Sequence, residues 1–173
     1  MTKTGTNAIA RFEPLIQQWF LRKYSQPTHI QEIAWPEIAC GEHLLITAPT
    51  GSGKTLTAFL WAINQFLTGQ YSAGARVLYI SPLKALNNDI ERNLLTPLAE
   101  LKALAAEKGL DFPRIRVQTR SGDTPAAQRR KMMNHPPEIL ITTPESLNLM
   151  LSSKGGQAGL GGFKTVILDE IHG

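Results

Sequence analysis

Apolar residues along this chain fall into two rhythms. Near the N-terminus Ile9, Phe12, Ile16, Trp19 and Phe20 recur at steps of three and four, which is one face of a helix over residues 9–20. Residues 25–27 (SQP) break it. A second helix is expected from Thr28 to about Gly41, interrupted at Pro36. Short apolar runs then alternate with helical patterns. Residues 43–48 (HLLITA), 77–80 (VLYI), 115–118, 138–142 and 165–168 each read as a buried strand. Between the first two of these, Leu56, Phe59, Leu60, Ile63 and Leu67 make a helical face. A longer helical stretch covers residues 83–108, divided or kinked at Pro97 and ended by Gly109. Helices are also expected after 115–118 and after 138–142. Strand and helix alternate throughout, so the predicted fold is α/β: a parallel sheet covered on both faces, three layers in all.

Composition narrows this picture. Of the 173 residues, 42% are hydrophobic and 18% charged, enough apolar content to fold rather than remain disordered. Eighteen basic against fourteen acidic side chains leave +4, which permits a polyanionic partner without demanding one. The single Cys40 excludes an internal disulfide framework and a cysteine-rich zinc site, and points to a reducing, cytoplasmic setting. No apolar run approaches the roughly 18 residues a membrane span needs, and the first residues do not read as a signal peptide. The five glycines within 154–162 precede a strand and lack a following Lys-Ser or Lys-Thr, so that stretch reads as a flexible surface connection.

Chemistry enters at residues 48–55, APTGSGKT, placed after a strand and before an amphipathic helix. This is a P-loop pattern with Ala48 where a first glycine often stands. Pro49, Thr50, Gly51, Ser52 and Gly53 form the loop. Its glycines let the backbone turn tightly and bring N–H groups against phosphate oxygens. The following helix adds its positive end, Lys54 a point charge for the β- and γ-phosphates, and Thr55 a hydroxyl for Mg²⁺. A dinucleotide fingerprint is excluded, because Lys-Thr-Leu follows Gly53. The last strand delivers Asp169 and Glu170 at its C-terminal edge. Asp169 suits Mg²⁺ through its water shell, and Glu170 suits the attacking water. Lys54, Asp169 and Glu170 are thus the candidate catalytic groups.

With APTGSGKT and DEIH (169–172) together, the chain resembles the first RecA-like domain of a superfamily 2 DEAD/DEAH-type helicase. YSQPTHIQ (24–31) resembles the adenine-reading Q motif, SPLKAL (81–86) motif Ia, SGDTP (121–125) the glycine motif and TTPESL (142–147) motif Ib. The wording SPLKALNNDI, RSGDTP, TTPESLNLML and VILDEIHG is close to the large helicase-related, or Lhr-type, family of bacterial and archaeal ATP-dependent helicases.

The resemblance implies ATP and Mg²⁺ as cofactors. Its implied partner is single-stranded DNA or an RNA/DNA hybrid, held at Pro82, Lys84, Gly122, Thr143, Pro144 and Glu145. Gln31 would read adenine. The residues themselves also allow a plainer role, a capping box in which Thr28 and Gln31 satisfy each other's backbone. Phe12 is either an adenine-stacking ring or a core aromatic, and the basic run 129–131 reads as a solvated helix face.

The implied organisation is a helical segment over 1–27 and an ATP-binding domain over 28–173, truncated after motif II. The second RecA-like domain and the motif III strand would be missing, leaving residues 44–47 and 166–168 to flank a gap. A non-catalytic nucleotide- and nucleic-acid-binding fragment is the competing reading, separated from a motor by ATP turnover with and without single-stranded DNA.

Overall fold

The computed structural model describes residues 8–82 and 89–170. In chain order the elements are a 3-10 turn (Ala8–Arg11), α1 (Pro14–Tyr24), α2 (His29–Ala39), α3 (Lys54–Leu67), β1 (Val77–Ile80), a π-helical turn (Glu91–Leu95) and α4 (Thr96–Glu107). Then come β2 (Val117–Arg120), α5 (Ala126–Asn134), β3 (Ile139–Thr142), α6 (Pro144–Leu151), α7 (Lys154–Leu160) and β4 (Thr165–Leu168). The described residues group into two compact units: 8–68 with 91–112, and 69–82 with 89–90 and 113–170.

The first unit is helical. The expected single helix over 9–20 is split, because Pro14 opens α1 and Glu13 caps it, its carboxylate accepting the Leu15 N–H. The Glu13 N–H in turn donates to Asn64 Oδ1 on α3 at 2.8 Å. Pro36 does not interrupt α2. The backbone acceptor it leaves without a donor is the carbonyl of Glu32, an exposed residue, where water can take the donor's place. Pro97 is likewise absorbed rather than breaking its helix. The π turn lies just ahead of it, and a wider turn moves aside the carbonyl that the proline ring would strike. Gly109, at φ +65°, ends α4: its N–H reaches the Ala106 carbonyl and that of Leu110 reaches Ala105. The core is aromatic. Phe12 meets Trp35 and Trp61 edge-on at 4.7 and 5.2 Å between ring centroids, and Phe20 meets Trp35 at 5.4 Å.

The second unit carries a four-stranded parallel sheet in the order β2-β3-β1-β4. β1 (VLYI) and β3 (ILIT) are buried along their whole length, as central parallel strands are. One face packs Leu78, Ile80 and Leu140 against Met132 of α5 and Met150 of α6. The N-terminal ends of β2, β3 and β1 are tied by one acid. Glu138 takes both Nε and Nη2 of Arg116 at 3.0 and 2.9 Å and the Arg116 N–H at 2.7 Å, while its own carbonyl accepts from Arg76 and Val77.

Three expectations change here. Residues 42–49 take no regular structure, and HLLITA is not a strand of this sheet. An apolar run becomes a strand only when neighbours supply its ladder; here Leu45 is 82% exposed. β2 starts two residues later than the sequence suggests, because Arg116 is held by Glu138 ahead of the strand. The glycine-rich stretch is a helix, α7, capped by Ser153. Its glycines serve contact: a Cβ on Gly156 would stand 2.2 Å from the Met150 carbonyl oxygen.

Candidate nucleotide and nucleic-acid sites

The P-loop lies in the first unit, between the irregular segment 42–49 and α3. Gly51 and Gly53 sit at φ +82° and +89°, in the left-handed region that side chains resist. Gly53 is the N-cap of α3 and has no side chain to cap with, so the first N–H groups of a fourteen-residue helix are left for an anion. The Ser52 hydroxyl is buried with no partner among the described residues. An orphaned hydroxyl beside a helix N-terminus fits a phosphate oxygen. Lys54 folds back on its own loop, its ammonium donating to the carbonyls of Ala48 and Pro49, the latter at 3.0 Å. The same Nζ is the charge that a phosphate would draw away. Thr55 is half-buried on the first turn of α3.

Gln31 and Thr28 stand against this loop. The capping box forms in full: Gln31 Oε1 accepts from the Thr28 N–H at 2.9 Å, and Thr28 Oγ1 accepts from the Gln31 N–H at 3.4 Å. Thr28 Oγ1 also donates to the Ser52 carbonyl at 3.1 Å. A Cβ on Gly53 would come to 3.0 Å from Gln31 Nε2 and press on that amide, while the φ of +89° by itself favours glycine there. The plainer reading of Gln31 is therefore realised, and the same contacts lock the Q-motif segment onto the loop. Phe12 is a core aromatic, edge-packed on two tryptophans.

In the second unit the remaining candidates gather at one edge. Ile80, Thr142, Arg120 and Leu168 are in register as the last residues of the four strands. Pro82, Gly122, Thr143 to Glu145, and Asp169 with Glu170 follow directly. The C-terminal edge of a parallel sheet is where α/β proteins place ligands. Thr143 caps α6, accepting the Ser146 N–H at 3.3 Å, with Pro144 at the first position and Glu145 exposed on the first turn. In 121–125, Ser121 and Thr124 close a turn on each other. Lys84 and His172 lie outside the described residues.

One member of this cluster escaped the sequence. Arg129 is not a solvated helix face: its Nε donates to the Thr124 carbonyl at 2.6 Å and its Nη2 to the Gly122 carbonyl at 3.0 Å, clamping the turn. Its charge also bears on Arg120, whose guanidinium is held below its usual range by burial first and Arg129 second.

Asp169 is held from three sides. Its N–H donates to the Ile80 carbonyl at 2.9 Å, its Oδ1 accepts the Glu170 N–H at 2.9 Å, and its Oδ2 accepts the Tyr79 hydroxyl at 2.6 Å. Burial, and then the Asp169 carboxylate, push the Tyr79 phenol far above its ordinary range, so it remains a donor. Glu170 is exposed, and its φ of +52° is in the left-handed region. No group of three or more His, Cys, Asp or Glu among the described residues forms a self-contained metal cage. Each unit carries an oxygen donor of the hard class that Mg²⁺ takes, the Thr55 hydroxyl in the first and the Asp169 carboxylate in the second.

Comparison with known proteins agrees with this chemistry. The family described as DEAD/DEAH box helicase matches residues 28–173. A relative from Mycolicibacterium smegmatis, "Lhr helicase/ probable uracil glycosylase", is 50% identical over 99% of this chain and 12% of its own length. The "ATP-dependent helicase Lhr-Core" of Methanocaldococcus jannaschii is 48% identical over 92% of this chain and 20% of its own length. The solved structure of the Mycobacterium smegmatis helicase Lhr bound to ssDNA and AMP-PNP superposes with a TM-score of 0.84 at 49% identity, over 94% of this chain and 21% of that one. This chain thus spans about one eighth to one fifth of the length of these relatives. No helix among the described residues is long and apolar enough to cross a membrane.

Proposed function

The chain belongs to the DEAD/DEAH box helicase family, and from that premise we propose that it is the nucleotide-binding part of an ATP-driven motor that moves on single-stranded DNA or an RNA/DNA hybrid. The observation that carries this reading is the edge shared by Pro82, Gly122, Thr143 to Glu145, and Asp169 with Glu170, at the ends of four parallel strands in register. A small-molecule kinase has no use for three backbone-gripping turns beside its acidic pair, whereas a motor must grip phosphates without reading bases.

In this reading the N–H groups of residues 51–55 bind the phosphates. Lys54 leaves the Ala48 and Pro49 carbonyls to bind them as well, and Gln31 offers its amide to adenine. Thr55 and Asp169 hold Mg²⁺, which when bound neutralises charge on the transferring phosphoryl group. Glu170 orients the attacking water. Charge in the transition state calls for arginines from a second RecA-like domain, an effect worth ~10³–10⁵ in rate for arginine fingers generally. Relatives five to eight times longer have room for that domain. A cytoplasmic location accords with the reading.

The test is ATP hydrolysis by the purified protein with and without single-stranded DNA. Turnover that rises with the strand and disappears in Lys54→Ala is expected. Nucleotide binding with no turnover under either condition would instead establish a binding fragment.

A further inference from the structure

Tyr79, 1% exposed, stands on the inner strand β1, and its hydroxyl ends on Asp169. The sheet register dictates the encounter. Tyr79 of β1 is paired with Ile167 of β4, and Asp169 lies two residues on, on the same face as Ile167. In a parallel pair a tyrosine long enough to lean one step along its neighbour reaches the group just past that strand's end. The bond is 2.6 Å, a length typical of a hydroxyl donating to a charged oxygen.

We infer that Tyr79 is a positioning residue for the divalent cation: its hydroxyl, bonded to Oδ2, holds the Asp169 carboxylate in one orientation for meeting the metal's water shell. The inference rests on the reading of Asp169 as the Mg²⁺ carboxylate. Three observations support it. The Asp169 backbone is anchored by the Ile80 carbonyl, so only the side-chain torsions are left to be set. The Glu170 N–H takes the other carboxylate oxygen, Oδ1, so the two donors together define the carboxylate plane. Tyr79 itself is 1% exposed and packed within a central strand, so it cannot follow the carboxylate if that moves. Groups that hydrogen-bond a metal's own ligand typically change metal affinity 10–100-fold when removed; Asp169 meets the ion through water, so the low end of that range is expected.

Tyr79→Phe deletes the hydroxyl and keeps the ring. Two quantities are measured on the purified protein: the rise in melting temperature with ADP alone and with ADP plus Mg²⁺, and the affinity for Mn²⁺ in the presence of ADP, from loss of the free-ion electron paramagnetic resonance signal. In Tyr79→Phe the ADP-only rise stays as in wild type, the further rise with Mg²⁺ shrinks, and Mn²⁺ binds about 10-fold more weakly. Placing p-aminophenylalanine at position 79 restores an isosteric donor and should bring Mn²⁺ affinity back. If the Phe variant does not fold, 4-fluorophenylalanine fills the oxygen's space without a donor and serves in its place. Wild-type Mn²⁺ affinity in the donor-less protein overturns the inference, and so does a melting temperature lowered equally with and without metal. A wild type that responds to ADP but gains nothing from Mg²⁺ overturns the assignment of Asp169 as well, and one that ignores ADP overturns the nucleotide site.

Discussion

In the proposed reading the P-loop and the strand-end cluster serve the same kind of target, phosphate, by opposite routes. The loop is local. Eight consecutive residues supply its glycines, its lysine and its hydroxyls, and the helix that follows supplies the dipole. The cluster is assembled from four separate places in the sequence, and nothing but the sheet register brings them to one edge. A local site is governed by backbone conformation and is damaged one residue at a time. An assembled site is governed by whatever holds the strands, and is damaged from a distance.

The largest expected effect tests the second half of that contrast. Arg116→Met removes the guanidinium that bonds both oxygens of Glu138, which is 2% exposed, and leaves the carboxylate only the N–H groups of residues 116 and 74. Removing one member of a fully buried pair costs about 3–5 kcal/mol; with Arg116 itself partly exposed the loss should lie near the low end, and a urea melt should show it although residue 116 is at the far end of β2 from the cluster. The same pair sets an acid limit. Burial raises the Glu138 carboxyl, but the bonds from Arg116 outweigh it and hold the group below its ordinary value of 4.5. The unfolded chain therefore takes up this proton first. The contribution to stability is complete above the unfolded value and is lost as pH falls through the folded one, so wild type should lose stability below about pH 4.5 more steeply than Arg116→Met.

Lys54→Ala probes the local site. A charge-assisted bond to phosphate contributes about 1.5–3 kcal/mol, so nucleotide affinity by calorimetry should fall roughly 100-fold while the melting temperature barely moves. Gly156→Ala comes next. Its Cβ would collide with the backbone of α6, and overpacking of this kind costs about 1–3 kcal/mol. Gln31→Ala is the smallest and the most discriminating. Loss of the capping box should cost about 0.5–2 kcal/mol. A narrowed preference for ATP over GTP on the same variant would show that the amide also reads the base, and an unchanged preference would leave it as a cap alone.

What the sequence made legible follows the same division. The P-loop, the capping box, β1 and β4 could be read residue by residue, because each depends on neighbours in the chain. HLLITA misled because an apolar run announces that it can be a strand, whereas becoming one depends on partners that may be remote. The glycines of α7 misled because glycine signals freedom in a loop and close contact in a packed helix with equal force. Arg129 and Tyr79 left no local trace at all: one clamps a turn five to seven residues upstream, the other meets an acid ninety residues away. A parallel-register argument, pairing Tyr79 with Ile167 and stepping two residues on, could have found the second.

The left-handed backbone at Glu170 has a consequence for how this position came to be filled. A conformation with φ of +52° suits Gly or Asn, and a longer side chain held there bears strain on the order of 1–2 kcal/mol. A chain optimised for durability alone would relieve it with Gly or Asn. This one keeps an exposed carboxylate just past β4, beside the tethered Asp169, at the cost of a measure of thermal tolerance.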